Sequence, residues 1–169
     1  MGPFATLLAE LDARRVRFLV IGVWGVNCYA KDAGAIFRTL DRDLFLPCDA
    51  ANLLRAWEAC DAAGLEMTCA GEPLDEPRDA WLAGRIVERK ALTRATLGTD
   101  LVVDLTLVMA GFDFETVWPE RRAFVSEGAP LPVARLSHIL ESKAAAGRDK
   151  DRLFLATHAE ALRDLLSAE

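Results

Sequence analysis

Residues 38–46 read Arg-Thr-Leu-Asp-Arg-Asp-Leu-Phe-Leu and are followed by Pro47. The apolar run after Asp43 predicts a buried strand from Asp43 to Leu46 that the proline ends. Side chains two positions apart on a strand share a face, with Cα atoms about 6.6 Å apart, so Asp41 and Asp43 are expected to point the same way. Paired carboxylates are the hard oxygen ligands that divalent cations bind. This stretch therefore predicts a strand that presents two acids side by side.

A third acid, Asp104, lies inside the apolar stretch Leu101-Val102-Val103-Asp104-Leu105. Four acid pairs with one residue between them occur in the chain, about as many as chance predicts for 26 acids, so the spacing alone carries no information. Position distinguishes Asp41 and Asp43, because they run into a buried strand and an unpaired carboxylate is costly to bury. Two explanations stay open: each acid meets a basic partner, or the three acids bind a metal ion together.

The rest of the chain predicts strands first and helices last. We expect a helix at residues 4–14, a strand at 16–21, a helix capped by Asp49 that ends at Gly64, and a strand at 65–68. A loop at 70–79, strands at 86–95 and 101–108 around the turn 97–100, a short helix at 112–118, and an extended connector at Pro130 and Pro132 follow. From Ser137 onward the pattern is helical, with an interruption at Gly147.

The predicted fold class is therefore α/β or α+β, a small mixed sheet with flanking helices and a C-terminal helical tail. Residues 1–135 would form the sheet domain and residues 136–169 a helical segment packed on it, as one compact unit.

Composition and charge restrict the class of protein. The chain has 169 residues, of which 52% are hydrophobic and 27% charged, as in ordinary globular proteins. The net charge of −6 argues against broad electrostatic binding of DNA or RNA. Apolar runs fall short of the roughly 20 residues that a membrane span needs, and no secretory signal is visible, so we expect a cytoplasmic protein. The four cysteines form no CxxC pair, which predicts reduced thiols rather than a zinc site or disulfides.

Four segments in order carry a resemblance to a known family: Phe18-Leu19-Val20-Ile21-Gly22, residues 38–44, Val103-Asp104-Leu105, and the tail from Leu136 to Asp151. Together they resemble the nucleotidyltransferase superfamily related to DNA polymerase β. The tail is similar to the C-terminal part of small bacterial members, including nucleotidyltransferase-like toxins of abortive-infection systems.

The resemblance implies transfer of a nucleoside monophosphate from an NTP, such as ATP, to a hydroxyl group, with Mg²⁺ or Mn²⁺ as the metal. It makes Asp41, Asp43 and Asp104 the metal ligands and catalytic acids, with Asp104 alternatively taking the proton of the acceptor hydroxyl. The residues it implies for nucleotide binding are Gly22, Val23, Arg38, Thr39, Lys143, Arg148 and Lys150. The acceptor stays open among an RNA end such as that of tRNA, a protein and a small molecule.

Three departures from the family pattern favour an alternative. Val23 stands where the family has Gly or Ser, Arg42 separates the two acids, and the stretch from Lys31 to Ala35 resembles an insertion. They fit a catalytically inactive binding module of the same fold, such as a toxin–antitoxin component with a protein partner. A plain structural domain is the third reading, and it requires the three acids to be solvated or paired with arginines.

Overall fold

The computed structural model describes residues 1–31, 36–74 and 76–169, so most of the stretch from Lys31 to Ala35 lies outside the described residues. The helices are α1 (Pro3–Ala13), α2 (Gly22–Asn27), α3 (Ala50–Ala62), α4 (Ala80–Arg89), α5 (Phe114–Val117), α6 (Leu136–Ala146), α7 (Asp149–Thr157) and α8 (Ala159–Ser167), with a 3-10 turn at Trp118–Glu120. The strands are β1 (Leu19–Ile21), β2 (Asp41–Phe45), β3 (Glu66–Cys69), β4 (Glu72–Pro73), β5 (Thr93–Leu97), β6 (Leu101–Thr106), β7 (Arg122–Ser126) and β8 (Ala129–Val133). Among the described helices, none combines the length and the apolar character that crossing a membrane requires.

The strands form one eight-stranded mixed sheet in the order β4-β3-β5-β6-β2-β1-β8-β7. At its centre β2 runs parallel to β6 and antiparallel to β1, while β5 and β6 form an antiparallel hairpin. The predicted mixed sheet with flanking helices is confirmed. The acid-bearing strand β2 lies between β6 and β1, so its side chains meet neighbours from both sides.

Helices cover both faces of this sheet. Arg42 lies between Asp41 and Asp43 in β2 and points to the opposite face, where its guanidinium carbon is 4.8 Å from the Phe4 ring centroid in α1 and 5.2 Å from that of Trp24 in α2. Arg42 thus turns away from the acids, as the alternation of side chains along a strand requires of the residue between them. Burial lowers the pKa of the Arg42 guanidinium, and the two aromatic faces supply part of the solvation that it loses.

Local signals explain where several helices begin and end. The Asp49 carboxylate accepts hydrogen bonds from the backbone N–H groups of Ala51 and Asn52, so it caps α3 as predicted. α6 ends at Gly147, which has a positive φ of 61° that glycine adopts without a steric cost. The helical tail thus turns at Gly147 as predicted, and a second break at His158 separates α7 from α8.

Two expectations about the middle of the chain were wrong. Residues 86–89 are not part of a strand, because they complete α4. The Asp79 carboxylate caps the start of this helix by accepting from the Leu82 N–H, and the helix ends at Lys90, whose backbone is in the left-handed region. The expected loop at residues 70–79 contains the short strand β4, which pairs with β3. The apolar residues at 86–87 belong to an amphipathic helix whose buried face includes Ala83 and Ile86.

The connector expected at Pro130 and Pro132 was also wrong, because both prolines lie in β8, which forms a hairpin with β7. The Ala134 N–H donates to Val20 O in β1. Because backbone N–H groups alternate in direction along a strand, the nitrogens of Pro130 and Pro132 also face β1 and not β7. The missing proline N–H groups therefore remove no hydrogen bond to β7. On the other side, β1 has only three residues and pairs with β8 at Val133.

Candidate active site

A row of side chains crosses the sheet at the level of the acids. Asp43 in β2 is the Cα partner of Asp104 in β6, and Asp104 is the partner of Arg94 in β5. The row continues to Ile21 in β1 on one side and to Thr68 in β3 on the other. Paired residues on neighbouring strands present their side chains to the same face. The register alone therefore places an arginine next to the third acid.

The acids open into a cleft of about 510 Å³ between the sheet and the last helices. Its walls include Asp41, Asp43 and Asp104 from the sheet, and basic side chains from α6, α7 and the turn between them. Those basic residues are Lys143, Arg148 and Lys150. Gly22 also lines this cleft, so the three predicted acids and four of the seven predicted nucleotide-binding residues are brought together there.

Arg94 holds Asp104 through both carboxylate oxygens. Its Nε donates to Oδ1 at 2.8 Å and its Nη2 to Oδ2 at 2.9 Å. A longer contact of 3.5 Å joins Nη2 to Oδ2 of Asp41. Asp104 is buried, whereas the Arg94 side chain is 45% exposed. Asp104 therefore meets a basic partner, which was the first of the two explanations for a buried acid. The hydrogen bonds to Asp104 raise the pKa of Arg94 above its ordinary value.

Asp43 has no such ion pair among the described residues. Burial is the first cause that raises its pKa, to about 6, and the negative charges of Asp104 and Asp41 add to the rise. Lys143 and Lys150 act in the opposite direction, from the helical side of the cleft. The site thus concentrates negative charge at Asp43, which a bound cation would stabilise.

The predicted glycine of the first motif, Gly22, fits tightly against Asp43. It lies at the end of β1 with a positive φ of 70°, and a Cβ atom built there would overlap Oδ2 of Asp43. Both features favour glycine, because an L side chain would be strained at this φ and would collide with the carboxylate. Gly22 therefore gives Asp43 its room at the edge of the cleft.

The basic wall of the cleft is organised by Asp151. Its carboxylate, almost fully buried, accepts from Nε of Arg148 at 2.7 Å and lies 3.5 Å from Nζ of Lys143. Burial would raise the pKa of Asp151, but the hydrogen bond from Arg148 and the charge of Lys143 outweigh it and lower that pKa. Asp151 therefore pairs with two cations of this wall. Burial also lowers the pKa of Lys143, against the pull of Asp151.

Three predicted nucleotide-binding residues, Val23, Arg38 and Thr39, lie outside the lining of this cleft as far as the structure describes it. Val23 belongs to the first turn of α2, and Arg38 is exposed. The Thr39 hydroxyl donates to the backbone oxygen of Asp41 at 3.2 Å, which supports the start of β2. Their predicted contact with nucleotide stays a prediction.

The chemistry of Asp41 and Asp43 fits a magnesium ion. Mg²⁺ is usually bound by one or two carboxylates together with substrate phosphates, and not by a complete cage of protein ligands. Within residues 1–31, 36–74 and 76–169, no three His, Cys, Asp or Glu side chains are grouped closely enough to hold a metal ion. Asp104 is held by the Arg94 guanidinium, which leaves Asp41 and Asp43 as the carboxylates that would hold the ion.

Comparisons with known proteins support the fold. No family model and no curated protein matches the sequence. Among solved structures, the chain is similar to that of the antibiotic-resistance factor ANT(2'')-Ia, an aminoglycoside nucleotidyltransferase. The TM-score is 0.55 and the sequence identity 16%, over 98% of this chain and 88% of the other. The chain has a nucleotidyltransferase-like fold. At this identity the likeness concerns the fold alone.

Arg94 is not among the predicted site residues, although the sequence holds a signal for it. The predicted turn at residues 97–100 joins two strands, and the structure pairs Leu97 with Leu101 at its ends. Counting back from that pair places Arg94 opposite Asp104. The register of the hairpin was therefore enough to identify the basic partner that a buried Asp104 requires.

Proposed function

We propose that the protein is a nucleotidyltransferase that moves a nucleoside monophosphate from an NTP to a hydroxyl acceptor. The observation that carries the proposal is the charge arrangement of the cleft, where the acids of β2 and β6 face the cations of α6 and α7. Such an arrangement suits a metal-bound triphosphate, because catalysis of phosphoryl transfer is mostly positioning and charge stabilisation. The nucleotidyltransferase-like fold supports the same reaction class.

In the proposed reaction each wall of the cleft has a separate task. Asp41 and Asp43 would hold Mg²⁺ or Mn²⁺, which when bound offsets the negative charge of the phosphates. Lys143, Arg148 and Lys150 bind the β- and γ-phosphates, and Asp151 keeps the first two in place. Gly22 lets the backbone approach the triphosphate next to Asp43.

The chemical step is an in-line displacement at the α-phosphorus. The acceptor oxygen forms a bond to this phosphorus, the bond from phosphorus to the oxygen bridging to the β-phosphate breaks, and pyrophosphate leaves. The hydroxyl proton passes to Asp104. Each carboxylate oxygen has two lone pairs, so the Arg94 hydrogen bonds leave Asp104 the capacity to accept this proton.

Calorimetric titration of the four common NTPs, with and without MgCl₂, tests the proposal. We expect at least one NTP to bind only with magnesium, and Asp43→Asn to abolish that binding. The matched control is Asp113→Asn, because Asp113 and Glu115 are another pair of acids with one residue between them. The Asp113 side chain is exposed and makes no capping hydrogen bond to α5. The proposal fails if the folded wild-type protein binds no NTP, or if both substitutions weaken binding equally.

A second candidate, an inactive binding module of the same fold, is favoured by the Arg94–Asp104 ion pair and by Val23 in the first motif. Such a module could act as one component of a toxin–antitoxin pair. It predicts that α-labelled NTP yields no covalent product with aminoglycoside, tRNA, protein or small hydroxyl acceptors. The aminoglycoside belongs in that panel because of the structural neighbour.

A further inference from the structure

A second, smaller cleft adjoins the candidate active site on the side of Arg94. It has a volume of about 380 Å³ and shares two lining residues, Leu92 and Arg94, with the main cleft. Its other walls come from the end of β3, the turn at residues 70–71 and Ala91. Thr68 of this cleft is the Cα partner of Arg94, so the row of side chains at the acids leads directly into it.

The lining of the two clefts separates the groups that would bind the two substrates. Lys143 and Lys150 line the main cleft from α6 and α7, and α6 packs on α2, the helix that follows β1. Arg94 and Thr68 lie on the other side of Asp104. In an in-line displacement the attacking and leaving oxygens are on opposite sides of the phosphorus. With pyrophosphate leaving toward the lysines, an approach from the smaller cleft keeps the hydroxyl away from them, because Arg94 lines that cleft and neither lysine does.

We propose that the smaller cleft is the acceptor subsite, and that the acceptor is a small hydroxyl compound with a neighbouring anionic group that Arg94 binds. The inference rests on the proposed function, because it uses the position of the triphosphate.

The charge of the subsite sets the acceptor class. Among the described residues that line the smaller cleft, Arg94 alone is charged, and no carboxylate is available to bind an ammonium group. The Nε and Nη2 atoms of Arg94 bond to Asp104, and Nη2 also reaches Asp41. The two Nη1 donors have no hydrogen-bond partner in the described part of the chain, so they remain for a phosphate or carboxylate. A polycation in the smaller cleft would meet the guanidinium, and no acid lines the described walls of that cleft to offset the repulsion.

Label transfer from α-³²P-labelled NTP to four primary alcohols tests this assignment. The probes are glycerol 3-phosphate, glycerate, ethanolamine and an aminoglycoside, so the first two distinguish phosphate from carboxylate. We expect an anionic probe to be labelled at least about tenfold faster than ethanolamine, because only the anionic probe gains a favourable charge pair with Arg94. We expect no labelling of the aminoglycoside. Arg94→Met should bring the anionic probe and ethanolamine within about threefold of each other.

A tryptophan placed in the smaller cleft separates acceptor binding from NTP binding. Thr68→Trp should lower transfer to the anionic probe at least about tenfold while magnesium-dependent NTP binding stays within about twofold. Thr96→Trp is the matched control, because Thr96 lies two positions from Arg94 on the same strand face and lines neither cleft. Circular dichroism establishes that both variants fold, and if the tryptophan variant does not, Thr68→Leu fills the cleft in its place, with Thr96→Leu as its control.

The outcomes keep the two proposals apart. If the wild-type protein binds no NTP, the proposed function itself fails. If NTP binds but neither anionic probe is labelled, if the aminoglycoside is labelled at least as fast, or if the cleft variant transfers normally, the acceptor subsite is wrong and the proposed function stands.

Discussion

Replacing Arg94 by methionine removes the positive charge from Asp104 and keeps most of the apolar stem. Two charged hydrogen bonds of 2.8 and 2.9 Å are lost, and Asp104, at 6% exposure, stays buried beside Asp43. Breaking a fully buried ion pair costs about 3–5 kcal/mol because a buried charge is left without a partner. Water can reach the space beside the half-exposed Arg94, so we expect a smaller loss of about 2–3 kcal/mol in the free energy of unfolding.

Urea denaturation at pH 7 measures this loss. Arg85→Met is the matched control, because its ion pair with Glu88 at 3.1 Å joins two exposed side chains, and such pairs contribute about 0.5 kcal/mol or less. Equal effects of Arg94→Met and Arg85→Met would refute the reasoning that Arg94 balances a buried carboxylate.

Further predictions concern the neighbours of this pair. Magnesium should stabilise Arg94→Met more than the wild type, as measured by thermal unfolding, because the substitution leaves three carboxylates without their cation. In urea denaturation, Gly22→Ala should lower the free energy of unfolding by about 2 kcal/mol or more, and Gly64→Ala by about 1 kcal/mol. Both glycines have a positive φ, but only a Cβ atom at residue 22 would meet a carboxylate, that of Asp43. Asp151→Asn should weaken magnesium-dependent NTP binding about tenfold in calorimetry, since two phosphate-binding cations lose their anchor. The raised pKa of Asp43, about 6 against 3.8, means that the folded state binds the proton more tightly. Its contribution to stability is therefore fully present below pH 4 and is lost as the pH rises through about 6, so pH-dependent urea denaturation should show a loss in the wild type that Asp43→Asn lacks.

The acid-bearing strand and the C-terminal helices could be predicted because their signals are local. The apolar residues after Asp43, the cap at Asp49 and the glycine at 147 each determine the backbone within a few residues. These elements are the ones on which the candidate cleft is built. The family resemblance named Asp41, Asp43 and Asp104, which line this cleft. Of the basic residues that it named, Arg38 lies outside the lining that the structure describes, and their role in nucleotide binding stays a prediction.

Helix α4 and strand β8 could not be identified in the same way, because their signals are ambiguous or depend on distant partners. The apolar pair Ile86-Val87 suits a strand as well as a helix, and the buried face of α4 decides in favour of the helix. Pro130 and Pro132 usually exclude a strand, but here their missing donors face a short neighbour. Tertiary contacts decide both cases.

To predict the ion pair at Asp104, it is not enough to know that β5 and β6 form a hairpin; the pairing of residues across that hairpin is also needed. A one-residue change in the pairing would turn Arg94 to the other face of the sheet. The observed pairing of Leu97 with Leu101 fixes the register and places the guanidinium on the acid.

The most direct test of the account is a crystal structure with a non-hydrolysable NTP analogue and Mn²⁺, with the metal located by its anomalous scattering. The account predicts a manganese peak at the carboxylates of Asp41 and Asp43, with the terminal phosphates on Lys143 and Arg148. A nucleotide bound elsewhere, or a nucleotide in the cleft without metal at Asp43, would contradict it.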